Sequence, residues 1–186
     1  MKKNPEWIWL GDHLAVDFAN TTIGGGRERI DLITSIEKFD SWRDHEPSKL
    51  PQISITKESL AGIRKQRDAT ARILRNAIQG EDSDAADVEL INTAVERGQV
   101  ARVLTGRPRE SRLVAGNANA AFTGVLAAAV VDILAREDLA AIALREAPNC
   151  GQIFHRSRVN QKWCSPGCGN RARVDRHRHR NPQANK

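Results

Sequence analysis

The position of the cysteines constrains this chain more than any other feature. Its 186 residues include three, Cys150, Cys164 and Cys168, and all of them lie in one short segment near the C-terminal end. An odd number of cysteines in so few residues is a poor disulfide framework, whereas clustered thiols beside Gly and Pro are typical of a metal site. The segment is too short to bury its own core, so a metal would supply the missing stability. The alternative is three buried thiols without a metal.

The positive charge of the chain is concentrated in the same segment. Residues 145–186 hold ten Lys or Arg against two acidic residues, a balance of +8. The whole chain is +6, so the rest carries 19 basic and 21 acidic residues, a balance of −2. A nearly neutral body with a basic tail predicts a polyanionic partner at the tail. The alternative is a solvated, disordered basic tail.

The spacing of the three cysteines predicts a zinc site. Cys164 and Cys168 are four residues apart, so both sulfurs can face one ion if Cys168 opens a helix. Cys150 is followed by Gly151, a pair that permits the tight turn of a zinc knuckle. Structural zinc sites use four Cys or His ligands, so the three cysteines leave the fourth ligand unassigned. His155 is the predicted fourth ligand, with a histidine from the other domain, a water or a small anion as alternatives.

The residues after Cys168 predict a basic helix that ends before Pro182. Arg173, Arg176 and Arg180 follow one another at three- and four-residue spacing, so they share one helical face. A guanidinium suits phosphate because it donates two parallel hydrogen bonds. The predicted nucleic-acid contacts are Arg171, Arg173, Arg176, Arg178 and Arg180 in this helix and Arg156, Arg158 and Lys162 in the loop before it.

The residues before the tail predict an α+β body that is mostly α-helical with a small β component. Caps and apolar spacing predict helices after Ser35, from Thr56 to Gly80, over 83–96 with Val88 facing inward, and over 118–134, where the helix is apolar and central. Residues 99–104 and 111–114 are predicted to form a hairpin, 13–18 a strand or a helix start, 22–26 a loop, and 138–144 a last helical turn.

Enzyme and membrane classes find little support in the sequence. The chain has no nucleophile elbow, no His-Glu-x-x-His and no Gly-rich phosphate loop. An enzyme would have to rest on an Asp17–His13 pair or on a zinc with an open position, and we predict that the protein is not an enzyme. No apolar run approaches the roughly 18–20 residues that cross a bilayer, and residues 1–5 do not begin a signal peptide. A cytoplasmic location without a membrane partner is expected.

Two motifs resemble known families. The residues from Trp163 to Arg173, with Cys-Gly-Asn-Arg at 168–171, resemble the CGNR zinc finger. Residues 11–21, Gly-Asp-His-Leu-Ala-Val-Asp-Phe-Ala-Asn-Thr, resemble the "LDFxNT" signature of the ABATE domain that precedes this finger. The resemblance implies an ABATE-like domain over 1–144, serving effector binding or dimerisation, and a treble-clef-like finger over 145–186. Arg145 departs from the family pattern, because the family has a knuckle cysteine there.

The resemblance also implies a function, since the family is described as stress-induced bacterial transcription regulators. We therefore expect zinc as cofactor, DNA as partner, and a homodimer or a small-molecule effector as further options. Asp17, Asn20 and Thr21 in the N-terminal signature are the candidate effector ligands. Their alternative role is to cap a helix and fix a turn, the commoner use of these residue types. The alternative function is a protein- or RNA-interaction finger without DNA sequence specificity.

Overall fold

The structure, a computed structural model, describes residues 13–24, 29–46, 50–99, 101–106, 111–114, 116–135, 141–144, 151–156, 158, 160–164 and 166–180. These residues form six helices and three two-stranded antiparallel sheets. The helices are α1 (Leu14–Ala19), α2 (Ile36–His45), α3 (Lys57–Gln79), α4 (Ala85–Arg97), α5 (Ala118–Ala135) and α6 (Pro166–Arg180). The strands are β1 (Thr22–Ile23), β2 (Ile30–Asp31), β3 (Ala101–Leu104), β4 (Ser111–Val114), β5 (Ile142–Leu144) and β6 (Ile153–His155). The predicted α+β class, mostly helical, is confirmed.

The helix starts that the sequence predicted are made by side-chain caps. Ser35 Oγ accepts from the Lys38 amide at 3.3 Å, which satisfies one of the donors left open at the start of α2. Thr56 and Ser59 form a reciprocal capping box at the start of α3. α3 ends at Gly80, whose left-handed backbone is the usual helix stop.

The packing of α4 against α5 depends on two glycines. Gly98 ends α4 and Gly124 lies in α5. A Cβ atom on Gly124 would lie 2.4 Å from the carbonyl oxygen of Gly98, and one on Gly98 would lie 2.5 Å from Gly124 Cα. Because these neighbours are backbone atoms, neither position can accept a side chain without moving a helix.

The core of the body contains an aromatic and an aliphatic cluster. In the aromatic cluster, Phe39 meets the edge of Phe122 at a centroid distance of 5.5 Å, and Phe18 lies 5.7 Å from Trp42. The aliphatic cluster joins α1, α3, α4 and α5 to the third hairpin, which is formed by β5 and β6. This hairpin contributes Ile142 and Ile153 to the cluster. The core therefore extends from the body into the segment that carries the cysteines.

A buried ion pair fastens the β1–β2 hairpin to α3. Arg67 is 1 % exposed and donates through both terminal nitrogens to the Asp31 carboxylate, at 2.7 and 3.0 Å. Arg64 donates from Nε to the same carboxylate at 2.8 Å. Burial alone would raise the pKa of Asp31, but the hydrogen bonds and charge of Arg67 and the bond from Arg64 outweigh it and hold that pKa at about 2.

The central helix α5 corrects the expectation that the chain lacks a long apolar run. α5 is long and apolar enough to cross a membrane by length and composition alone. Core helices of soluble proteins have the same length and composition, so these two properties do not identify a membrane span. In this fold, α5 packs against α1, α3 and α4 and buries Phe122, Leu126 and Ile133.

Four local predictions were wrong or incomplete. Residues 14–19 form a helix, the second of the two options for this segment, while residues 22–23 form a strand where a loop was predicted. Val88 was predicted to face inward but is 39 % exposed. Residues 142–144 form a strand instead of a helical turn, because they pair with β6. The 99–114 hairpin is confirmed as β3 and β4.

Candidate metal centre and nucleic-acid interface

The third hairpin crosses the predicted domain boundary between residues 144 and 145. Ile142 pairs with His155, Ala143 with Phe154 and Leu144 with Ile153. One strand therefore comes from the predicted N-terminal domain and the other from the predicted finger. Ala143 and Phe154 are both buried, so the two parts share a core at this hairpin.

Two side chains of the body hold the start of β6. Asn20 Nδ2 donates to the Ile153 carbonyl at 2.8 Å, and the Ile153 amide donates to Asn20 Oδ1 at 3.1 Å. Arg75 of α3 donates to the Gly151 carbonyl at 3.2 Å. Burial lowers the pKa of Arg75, and the nearby charge of Arg29 lowers it further. The residues on both sides of Gln152 are thus fixed to α1 and α3.

The two described thiols are placed as a pair of metal ligands would be. Cys164 Sγ and Cys168 Sγ are 3.6 Å apart. Two thiolates on a tetrahedral zinc, each with a bond of about 2.3 Å, lie roughly 3.8 Å apart. Cys168 is 1 % exposed in the first turn of α6, and Cys164 is half-buried just before the helix. Their chemistry and separation fit two of the ligands of one zinc ion.

A buried glutamine lies against this pair. Gln152 is 0 % exposed, and its Oε1 lies 3.7 Å from Cys164 Sγ, within reach of the thiol hydrogen. The sequence interpretation did not include Gln152. A signal was present in its position two residues after Cys150, inside the predicted knuckle, but glutamine is not a usual zinc ligand.

Glycines and a tryptophan shape the backbone around the thiols. Gly151 has a φ of 58°, a left-handed conformation that side chains disfavour, as the predicted knuckle turn requires. A Cβ atom on Gly169 would lie 3.1 Å from Trp163 Cδ1, so the indole packs on the first turn of α6. Gln161 Nε2 donates to the Trp163 carbonyl at 3.0 Å and fixes that approach.

The fourth ligand is not found among the described side chains. Within the ranges that the structure describes, no group of three or more His, Cys, Asp or Glu side chains is placed to hold a metal ion. His155 is half-buried in β6 and is not gathered with Cys164 and Cys168. Cys150 and Arg145 lie outside the described residues. His155 as fourth ligand therefore stays a prediction.

The predicted nucleic-acid residues lie in the segment from Arg156 to Arg180, which also carries the thiol pair. Arg156, Arg158, Lys162 and Arg173 are exposed. The other four predicted contacts, whose side chains the structure does not describe, are helical residues of α6: Arg171, Arg176, Arg178 and Arg180. Five arginines and one aspartate give α6 a balance of +4.

The burial of α6 changes along its length. Cys168 is 1 % and Ala172 4 % exposed in its first half. Arg173 and His177 are exposed, and Val174 is 43 % exposed. The helix is therefore packed against the protein by its start and presents basic residues beyond it.

The candidate effector ligands are used inside the protein. Asn20 follows the end of α1 and bonds Ile153, and Thr21 Oγ1 donates to the Phe18 carbonyl at 2.8 Å. Asp17 is 4 % exposed. His13 caps α1 by accepting from the Ala15 amide at 3.3 Å. The Thr21 contact is the local, turn-fixing kind that the alternative described, whereas the Asn20 side chain makes a long-range bond that neither interpretation anticipated.

A groove between α3 and α5 is a second place to consider for a small ligand. Its lining is mostly apolar and includes Ile53, Gly62, Ile63, Ala120 and Thr123. None of the three candidate effector ligands lines it. Its shape alone does not identify an occupant.

Comparison with known proteins matches two parts of the chain, which leave residues 138–145, with β5, between them. The family model ABATE, described as "Putative stress-induced transcription regulator", matches residues 12–137. The CGNR zinc finger model matches residues 146–181. No curated protein matches the chain. The first match covers more than half of the sequence, and together they confirm the resemblance: the chain belongs to the ABATE family and ends in a CGNR zinc finger.

Proposed function

We propose that this protein is a DNA-binding transcription regulator whose zinc finger grips duplex DNA mainly through phosphate contacts. The observation that carries the proposal is α6, which is buried at its start and carries exposed Arg173 and four further arginines along its length. A 15-residue helix extends about 22 Å at 1.5 Å per residue, long enough to follow a groove or cross the backbone.

Zinc has a structural role in this proposal. Cys164 and Cys168 would hold it with Cys150, and the metal would fix the first turn of α6 to the loop before it. An arginine-rich helix of this length is marginal alone in water. The metal therefore supplies an anchored helix, and the arginines supply the affinity for phosphate.

The loop before α6 carries further positive charge. Arg156, Arg158 and Lys162 are exposed and precede the helix in sequence, so they add cationic groups to the segment that leads into it. Contacts of this kind depend on phosphate positions and give affinity without sequence preference. The proposal therefore assigns no base-reading residue.

The N-terminal domain would act on the finger through direct contacts. Asn20 of the family signature bonds Ile153, and Arg75 bonds Gly151, so a change in α1 or α3 moves the hairpin that leads to the thiols. This linkage supports a regulatory role for the domain, either through a small effector or through a homodimer. The molecular mass of the protein in solution, measured with and without candidate small molecules, tests the two options.

The proposal is tested by equilibrium binding of the full chain to duplex DNA, single-stranded RNA and heparin over a salt series. We expect binding to duplex DNA whose log affinity falls linearly with log salt concentration. Tighter binding to RNA than to DNA of equal length favours the interaction-finger alternative. Absence of DNA binding at low salt overturns the proposal.

A further inference from the structure

The strongest unassigned feature is Gln152, a fully buried polar side chain next to a thiol of the candidate metal site. Its carboxamide oxygen lies 3.7 Å from Cys164 Sγ, and its residue is 0 % exposed. Placing an amide in the interior costs free energy unless it bonds a partner. The fold brings this amide to the sulfur and not to solvent.

The neighbours of Gln152 are held on both sides by the N-terminal domain. Asn20 binds the amide and the carbonyl of Ile153, and Arg75 binds the carbonyl of Gly151. The backbone at Gln152 therefore has little freedom, and the side chain is aimed at Cys164 by contacts that come from α1 and α3.

Metal binding turns the Cys164 sulfur from a hydrogen-bond donor into an acceptor. Cys164 in its thiol form has one hydrogen to donate, which is within reach of Gln152 Oε1 at 3.7 Å and of Cys168 Sγ at 3.6 Å. A zinc-bound cysteine has released its proton to water and is a thiolate, which accepts hydrogen bonds and donates none. A half-turn of the carboxamide presents Nε2–H to the sulfur from the same position. Donors of this kind tune and orient metal ligands.

We propose that Gln152 is a positioning residue of the metal centre, donating a hydrogen bond from Nε2 to the Cys164 thiolate while Asn20 and Arg75 hold it in place. The inference rests on the proposed zinc site. The N-terminal signature would then help to support the finger, since Asn20 holds the backbone of Ile153, and the neighbouring Gln152 lies against the metal ligand Cys164.

Two variants of the full chain test this role. Gln152→Met keeps the volume and removes the amide. Gln152→Glu keeps the shape, removes the N–H donor and offers a carboxylate, which is a better zinc ligand than an amide oxygen. Gln79→Ala, at an exposed glutamine in the last turn of α3, is the matched control.

The readouts are zinc affinity, by competition with a colorimetric chelator, and the thiolate-to-metal absorption of the Co²⁺-loaded chain. We expect both variants to bind zinc about 10- to 100-fold more weakly and to shift the thiolate band, with circular dichroism and the control unchanged. Tighter binding by Gln152→Glu shows that a side chain at position 152 reaches the metal itself and overturns the donor role. Wild-type affinity and band in both variants also overturn it. A wild-type chain that takes up neither metal overturns the metal site as well.

Discussion

Asn20 and Ile153, 133 positions apart in the sequence, exchange two buried hydrogen bonds. The asparagine amide supplies both a donor and an acceptor, so it satisfies the Ile153 backbone as a neighbouring strand would. Asn20 belongs to the signature of the N-terminal domain, and Ile153 begins the strand that follows the knuckle. The signature therefore connects the two parts of the chain.

The first prediction concerns this connection. Asn20→Ala leaves the Ile153 amide and carbonyl buried without their partner, at about 1–3 kcal/mol for each group. We expect the free energy of unfolding in urea to fall by about 2–5 kcal/mol. Asn76→Ala is the control, because Asn76 Nδ2 donates to the Asp82 carbonyl at an exposed position. Equal losses in the two variants would contradict the bridging role.

The second prediction tests the α4–α5 crossing. Gly124→Ala places a methyl group against the Gly98 backbone, so we expect a loss of about 1–3 kcal/mol in urea unfolding. Gly62→Ala in α3 meets no atom within 4 Å and should stabilise the protein by up to about 1 kcal/mol, since alanine is the better helix former. If Gly124→Ala is as stable as Gly62→Ala, the close approach is wrong.

The third prediction uses the low pKa of Asp31. A carboxylate whose folded pKa, about 2, lies below its ordinary value of 3.8 stabilises the fold above about pH 4, and that contribution is lost as pH falls towards 2. Asp31→Asn removes one of two carboxylates that pair with the buried Arg67 and leaves it Asp68, so it should cost about 1–3 kcal/mol at pH 7. The gap between variant and wild type should narrow between pH 4 and pH 2.

Urea unfolding at four pH values from 7 to 2 measures that gap. The control is Asp44→Asn, whose exposed carboxylate meets Arg43 at 3.4 Å, and which should change the free energy of unfolding by less than about 1 kcal/mol. A gap for Asp31→Asn that stays constant down to pH 2 would show that the ion pair contributes no pH-dependent stability.

The sequence predicted those features of the fold that depend on local chemistry. Thr56 and Gly80 bound α3 as their capping preferences require. α1 is too short to show a helical period, so the sequence could not decide between a strand and a helix for this segment. The prediction of a helical turn at β5 was wrong, because a three-residue strand is specified by its partner β6 and not by its own residues.

The candidate site shows the same division. The thiols and the basic helix follow from spacing and composition. The Asn20–Ile153 bridge and the approach of Gln152 to Cys164 are long-range contacts that a single sequence does not reveal. Arg67 has helical spacing from Ile63 and Leu74 on the buried face of α3, but the spacing does not name Asp31 as its partner.

The fourth prediction concerns the metal. We expect close to one zinc per chain by elemental analysis, because Cys164 and Cys168 are spaced as zinc ligands. His155→Ala should weaken zinc binding if His155 is the fourth ligand, while His177→Ala, at an exposed position of α6, should not. Chelation should weaken DNA binding and leave the helical body folded by circular dichroism. Metal-free protein prepared without chelator would refute the zinc site, and equal affinities in the two histidine variants would refute the role of His155.

The fifth prediction concerns the three arginines that share a face of α6 by spacing, Arg173, Arg176 and Arg180. Neutralising about four to six phosphates gives a log–log salt slope of about −4 to −5 for duplex DNA. Replacing all three arginines with alanine should weaken binding to every sequence and flatten the slope by about two to three units. The fold should survive, because alanine favours helix and exposed arginines contribute little stability.

The most direct test of the DNA-binding proposal is the salt dependence of that triple variant beside a control of equal charge. The control replaces three exposed lysines of the body with alanine: Lys38, Lys57 and Lys65. Our account predicts a flattened slope and weaker binding for the arginine variant, and a slope near that of wild type for the lysine variant. Wild-type affinity of the arginine variant at every salt concentration would show that α6 does not contact DNA through this face.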